Sequence, residues 1–194
     1  MIELAPDLWL FHGQTERDDR DRATRQILAQ VINCQPGDIR IEVGISGKPH
    51  IASPSGDLYF NRAHRSGWWV LSLGRGQENG VDLEPLPLTQ DWTLVAKHLF
   101  SVSEYSELSK LPSADQREAF GYLWTGKEAV LKARNLGVVE GVAEPDLSSL
   151  FGIGPWPDHM RHQFDTKLGK YYIEWIKHRP ALGPALLISR SVPG

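Results

Sequence analysis

Four side chains have types and spacing that could act on a phosphate. Asp82 and Glu84 stand two apart in "NGVDLEPL" (residues 79–86), and Glu128 and Lys132 stand four apart in "GYLWTGKEAVLKA" (residues 121–133). On a strand, positions i and i+2 share a face, so both carboxylates of the first pair leave the backbone together while Val81 and Leu83 point the other way. Like charges that close repel, and burying either one unpartnered is costly. Such a pair is stable in water, as the charged edge of a sheet that resists aggregation, or around a cation. On a helix, Glu128 and Lys132 stack on one side. A wheel at about 100° per residue gathers Phe120, Leu123, Trp124, Val130 and Leu131 into one arc with Lys127 inside it. Glu128 and Lys132 fall at its edge, where the border between core and solvent would form the wall of a cleft. A plain surface Glu-to-Lys pair, worth ~0.2–0.5 kcal/mol, has the same spacing. Three carboxylates are hard oxygen donors of the kind Mg²⁺ prefers, and a lysine beside them suits a phosphate.

The elements that must position these groups follow from the pattern of the chain. "ATRQILAQVINC" places Ile27, Leu28, Val31 and Ile32 at helical spacing, with Arg22 and Arg25 near its start, after a short apolar run at 8–11 and the polar "GQTERDDRDR". "GDIRIEVGISGKPHI" alternates like a strand before a Gly-Lys-Pro turn. "GDLYFNRAHRSGWWVLSLGRGQENGVDLE" predicts strand, strand, Gly-rich turn and strand. Helices are expected in "LPLTQDWTLVAKHLF", in "SVSEYSELSKL" with Ser103 as N-cap, and over "SADQREAFGYLWTGKEAVLKARN", the longest. "KYYIEWIKH" and "ALLISR" read as a hairpin. The expectation is an α+β protein of two similar small halves, each a main helix packed on a mostly antiparallel sheet, joined near "GRGQEN" unless that turn is itself a hairpin.

Composition narrows the function classes. The 194 residues are 41% hydrophobic and 23% charged, with mean hydropathy −0.33, as expected of a soluble globular chain large enough to bury a real core. A net charge of −3 offers no overall basic field for nucleic acid or an anionic membrane, so any anion site must be local. "MIELAPDLWLF" lacks a basic leader and is broken by Pro6 and Asp7, and no apolar stretch approaches the ~20 residues of a membrane span. The single cysteine, Cys34, excludes an internal disulfide or thiolate cluster, fits a packed core position, and suits a reducing cytoplasm. No fixed-period repeat suggests a solenoid.

Several motifs fail on inspection. "GYLWTGKE" satisfies G-x-x-x-x-G-K, but Glu128 stands where a phosphate loop needs Ser or Thr, and the bulky Tyr122, Leu123 and Trp124 suit an uninterrupted helix. "GISGK" is an incomplete nucleophile elbow. His159 and His162 lack convincing metal spacing. The seven tryptophans are expected in the core or between the halves.

"GVDLE", "FSVSEYSEL" and "LWTGKEAVLKA", in that order, with "GKP" at 47–49 and "YFNRAH" at 59–64, make residues 22–140 resemble the Sfp-type 4′-phosphopantetheinyl transferases. The resemblance implies transfer of phosphopantetheine from coenzyme A to a serine of an apo acyl or peptidyl carrier protein. It implies Mg²⁺ ligation by Asp82, Glu84 and Glu128, and Lys132 at the coenzyme A phosphate. It further implies His64 near the nucleotide's phosphate and ribose, Lys48 at the adenine, and Arg25 at the 3′-phosphate, with Glu104 a motif residue of open role. Residues 1–78 would then supply nucleotide contacts and 79–194 the metal site and catalytic helix, a monomer in which each half serves as the other's partner.

Two positions depart from the family pattern. Ala63 stands where Ser usually precedes the histidine, flanked by Arg62 and Arg65, and Asn135 replaces a glycine after the long helix. The arginines either strengthen phosphate binding or are ordinary surface charges; Asn135 is the non-glycine residue most tolerant of a left-handed turn. Two rival readings stand beside the transferase. One is a Mg²⁺-dependent nuclease or phosphodiesterase, which would want a basic groove with interleaved aromatics. The other is an inactive carrier-protein-binding module, against which the full complement of carboxylates and lysines counts.

Overall fold

The computed structural model describes residues 1–13, 16–45, 47–88, 91–136, 144–153, 156–167 and 169–194. In the first half, β1 (Ile2–Ala5), β2 (Leu8–His12), β5 (Leu58–Arg65) and β6 (Trp68–Arg75) form an antiparallel sheet in the order β1-β2-β6-β5. Helix α1 (Arg17–Ile32) lies on it, and β3 (Arg40–Val43) pairs with β4 (Pro49–Ser53) as a separate hairpin. In the second half, β7 (Gly80–Leu86), β8 (His159–Thr166), β9 (Gly169–His178) and β10 (Ala185–Pro193) form an antiparallel sheet in the order β7-β10-β9-β8. Helices α2 (Trp92–Leu99), α3 (Val102–Lys110) and α4 (Ser113–Ala133) precede β8.

Each half follows one path: a strand, a long helix, then a hairpin whose last strand returns beside the first. The orders β2-β6-β5 and β7-β10-β9 are the same motif, with β1 and β8 added at opposite edges. This is the two-half α+β fold expected from the sequence. Strands β6 and β7 lie in different sheets, so the segment 76–79 passes from one half to the other.

Alternation decides what each strand buries. Leu8, Leu10, Ala63 and Val70 of the first half meet Val81, Leu83, Leu186 and Ile188 of the second in a shared apolar layer. The opposite faces pack on the helices: Phe11, Phe60, Trp69 and Leu71 against Ile27 and Leu28 of α1, and Ile173, Trp175 and Leu187 against Phe120, Leu123 and Val130 of α4. Trp69 and Trp175 are fully buried and the other five tryptophans pack against these layers, while half-buried Cys34 borders the first core.

Helix α4 runs unbroken through the segment that mimics a phosphate loop. Its glycines serve packing: a Cβ at Gly126 would lie 2.6 Å from Cζ2 of Trp175, so the indole rests directly on the helix backbone, which offsets the ~1 kcal/mol helix penalty of glycine.

Two local expectations need correction, and one strand is additional to those expected. The N-cap of α3 is Ser101, not Ser103: Ser101 Oγ accepts from the Glu104 amide at 3.1 Å and Glu104 Oε2 accepts from the Ser101 amide at 2.8 Å, a reciprocal capping box. Helix α1 begins at Arg17, so the polar "RDDRDR" forms its first turns rather than preceding it. Residues 159–166, which carry no clear sequence signal, form edge strand β8, where His159 and His162 fall on opposite faces. Among the described residues no helix is long and apolar enough to cross a membrane.

Candidate active site

The site begins with the close approach of α4 to β7. A Cβ at Gly80 would lie 1.9 Å from the carbonyl oxygen of Ala129 and 2.5 Å from the amide nitrogen of Ala133, so only glycine lets the helix settle on the start of the strand. Val81 and Leu83 turn into the layer between the halves. Asp82 and Glu84 therefore turn to the helix side, where both are buried.

Lys132 ties strand to helix. Its Nζ donates to Asp82 Oδ1 at 2.6 Å and lies 3.8 Å from Glu128 Oε2. Glu84 accepts from Arg65 Nε at 3.1 Å. The four residues singled out by spacing thus come together, with Arg65 added. As they stand, no three His, Cys, Asp or Glu side chains among the described residues are grouped closely enough to hold a metal ion, and the Lys132 ammonium lies between Asp82 and Glu128.

The electrostatics describe a cluster short of positive charge. Burial, then the Asp82 charge, pushes the Glu84 carboxyl up to about 7 in spite of Arg65 and Lys132. Burial and Asp82 also raise Glu128. Burial acts to lower Lys132, but Asp82 and Glu128 outweigh it and hold the ammonium above its ordinary range. Asp82 Oδ2 is buried with no hydrogen-bond partner among the described residues. An unpaired buried carboxylate oxygen beside two carboxyls of raised pKa suits a hard divalent cation in donor chemistry and in charge.

Cations of the first half gather around His64, and one of them, Arg65, reaches the cluster. Strand β5 directs Arg62 to α1, where Nη1 donates to Asp21 Oδ1 at 2.7 Å and Thr24 Oγ1 at 3.1 Å. Exposed His64 is held below its ordinary pKa by burial of its ring and then by the charges of Arg20, Lys132, Arg62 and Arg65. The sequence pattern, whose apolar spacing begins only after Arg22, carries no signal for Arg20; with α1 beginning at Arg17, Arg20 lies one turn before Thr24, whose hydroxyl donates to the Arg20 carbonyl. Arg22 is exposed and paired with Asp19, and Arg25 has no described partner. The arginines around Ala63 are both engaged, Arg62 with α1 and Arg65 with Glu84, and Ala63 itself faces the layer between the halves.

Two adjoining cavities run between these groups, about 370 Å³ beside Tyr59, Phe60 and Glu78 and about 260 Å³ beside Asn61, Arg62 and Lys132. They share Lys48, Pro49 and Asn135. Asn135 adopts φ 59°, the left-handed turn that the missing glycine would have supplied.

Glu104 has a structural part. It and Lys127 form an ion pair at 2.8 Å with both side chains at 0% exposure. Glu104 also accepts from the Leu147 amide at 2.7 Å, and Lys127 donates to the Pro145 carbonyl at 2.6 Å. The pair fastens α3, α4 and the segment at 145–147 together, which explains a lysine inside the apolar arc of α4.

A family model described as the 4′-phosphopantetheinyl transferase superfamily matches residues 78–178, which includes β7, α4 and every carboxylate of the cluster. The chain belongs to that superfamily. It is 31% identical over 118 residues to the 4′-phosphopantetheinyl transferase HetI of Nostoc sp., covering 60% of this chain and 50% of HetI. It is 33% identical over 131 residues to AcpT of Escherichia coli, covering 68% of this chain and 65% of AcpT. It is 32% identical over 119 residues to Sfp of Bacillus subtilis, covering 61% of this chain and 51% of Sfp. The match thus spans between half and two thirds of the length of these relatives.

Proposed function

We propose that this chain transfers the 4′-phosphopantetheine arm of coenzyme A to a serine hydroxyl of an apo acyl or peptidyl carrier protein. One observation carries the reading: Lys132, which lines the smaller cavity, lies 2.6 Å from Asp82 and 3.8 Å from Glu128. A cleft that starts at the Gly-Lys-Pro loop therefore ends at the carboxylate cluster.

In this reading coenzyme A lies between the halves, where ligands commonly bind. The stem of Lys48 and Pro49 frame the base, and His64 with Arg20 faces the 3′-phosphate, the place that family likeness alone assigned to Arg25. The serine oxygen bonds to the β-phosphorus as the bond from that phosphorus to the bridging oxygen breaks, and 3′,5′-ADP leaves with the electron pair. Glu128 accepts the serine proton, directly or through a water within hydrogen-bond reach. Lys132 donates to the leaving phosphate. Asp82, Glu84 and Glu128 would hold Mg²⁺, which when bound would supply neutralisation of the diphosphate charge. A monomer acting in a reducing cytoplasm belongs to the same reading.

The test is to incubate the protein with coenzyme A, Mg²⁺ and a panel of apo carrier domains and to weigh the carriers by mass spectrometry. Addition of one phosphopantetheine arm is expected, with loss of the reaction in chelator. No addition to any carrier, together with metal-dependent nicking of plasmid, would favour the nuclease reading.

A further inference from the structure

Family likeness places Lys48 at the adenine, but its ammonium is engaged elsewhere. Nζ donates to Glu78 Oε2 at 2.5 Å, to the Asn79 carbonyl at 3.1 Å and to the Lys132 carbonyl at 3.1 Å. Those are the three hydrogen bonds an ammonium has to give. The side chain is 13% exposed. Each acceptor belongs to a different structural need. Glu78 and Asn79 are the last residues before β7, and the Lys132 carbonyl is one of the C-terminal carbonyls of α4, which also accepts from the Asn135 amide at 3.3 Å in the turn that ends the helix. A cation at that end of a helix is also favoured by the aligned peptide dipoles.

We infer that Lys48 is a positioning residue, whose head group clamps the last turn of α4 to the start of β7 while only its methylene stem faces the base cavity. The clamp acts through Lys132: fixing that residue's backbone sets its side chain against Asp82 and, one turn earlier, sets Glu128 beside the same strand. Because Lys48 belongs to the first half and its acceptors to the junction and the second, the hairpin that frames the base also sets the geometry of the reacting end. The kinetic consequence rests on the transfer reading; the clamp itself does not.

Lys48→Met keeps the length of the stem and removes the head. Amide hydrogen exchange is expected to quicken about tenfold at residues 78–80 and 132–136 and to stay unchanged in β8–β10. With coenzyme A saturating, kcat is expected to fall about tenfold while the Kd for 3′,5′-ADP shifts less than about threefold, since charge-assisted bonds that hold geometry are lost and the base surface is kept. Unchanged exchange at 132–136, or 3′,5′-ADP bound about tenfold more weakly with kcat intact, would overturn the inference. Should that variant fail to fold, Glu78→Gln at the half-exposed end of the clamp is expected to loosen the same segments about threefold, and no change there would overturn it equally. If the wild-type chain transfers nothing, the transfer reading fails while the exchange measurement still judges the clamp.

Discussion

Strands β2 and β7 hold the same place in the two halves, yet one turns aromatic side chains to its helix and the other turns carboxylates. Leu8 and Leu10 of β2 and Val81 and Leu83 of β7 all enter the layer between the halves. On the opposite face β2 presents Trp9 and Phe11 to its helix, with Phe11 stacked on Trp69 at 3.8 Å between ring centroids. At the matching positions β7 presents Asp82 and Glu84. The second half carries two buried carboxylates at a packing position because its helix has other support: α4 is 21 residues long and shares a core with α2, α3 and β8–β10. Like charge buried at that place costs stability, a repulsion that a cation bound as proposed would relieve.

The comparison can be broken at its strongest point with Glu128→Gln. Transfer is expected to fall by about 10³-fold or more, since both a base and a carboxylate are lost, with the melting temperature little changed; carrier modification followed by mass and a thermal melt check this. The matching change on the packing side is Phe11→Ala, expected to cost ~3–5 kcal/mol in urea unfolding.

A titration sharpens the contrast. The Glu84 carboxyl is raised from 4.5 to about 7 in the folded state. The folded protein therefore keeps a proton that the unfolded chain has released, a contribution to stability that is full below pH 4.5 and lost as pH rises through about 7. In chelator, Glu84→Gln is expected to be more stable than the wild type by about 2 kcal/mol above neutral pH and to show no such advantage near pH 4. Mg²⁺ affinity of the wild type, read by calorimetry, is expected to climb over the same interval, because binding must displace that proton. The smallest effect concerns the cations of α1: Arg20→Ala is expected to raise KM for coenzyme A about tenfold and Arg25→Ala less than about twofold.

What could be read from the chain follows the range of the interactions. Period-two and helical patterns are local, so β7, α4 and the four chemical residues on them were legible, as was the likeness of the halves. Strand β8 was not, because "HMRHQFDT" at a sheet edge carries little apolar alternation. Arg20 lies in the wholly polar first turns of α1, which carry no apolar spacing, and Ser101 and Ser103 both precede helical pattern, so only the bonds between Ser101 and Glu104 tell which one caps α3. The Glu104–Lys127 pair and the Lys48 clamp join residues 23 and 84 positions apart, and a single sequence has no signal for such distances. Lys132 lying between Asp82 and Glu128, where the family pattern suggests a metal, is likewise a feature of the fold alone.

The most direct test of the site is the double variant Asp82→Asn with Glu84→Gln, assayed by the mass of an apo carrier after incubation with coenzyme A and Mg²⁺. A folded protein that adds no phosphopantetheine is expected. Transfer by that folded variant at the wild-type rate would contradict a catalytic role for the acidic strand.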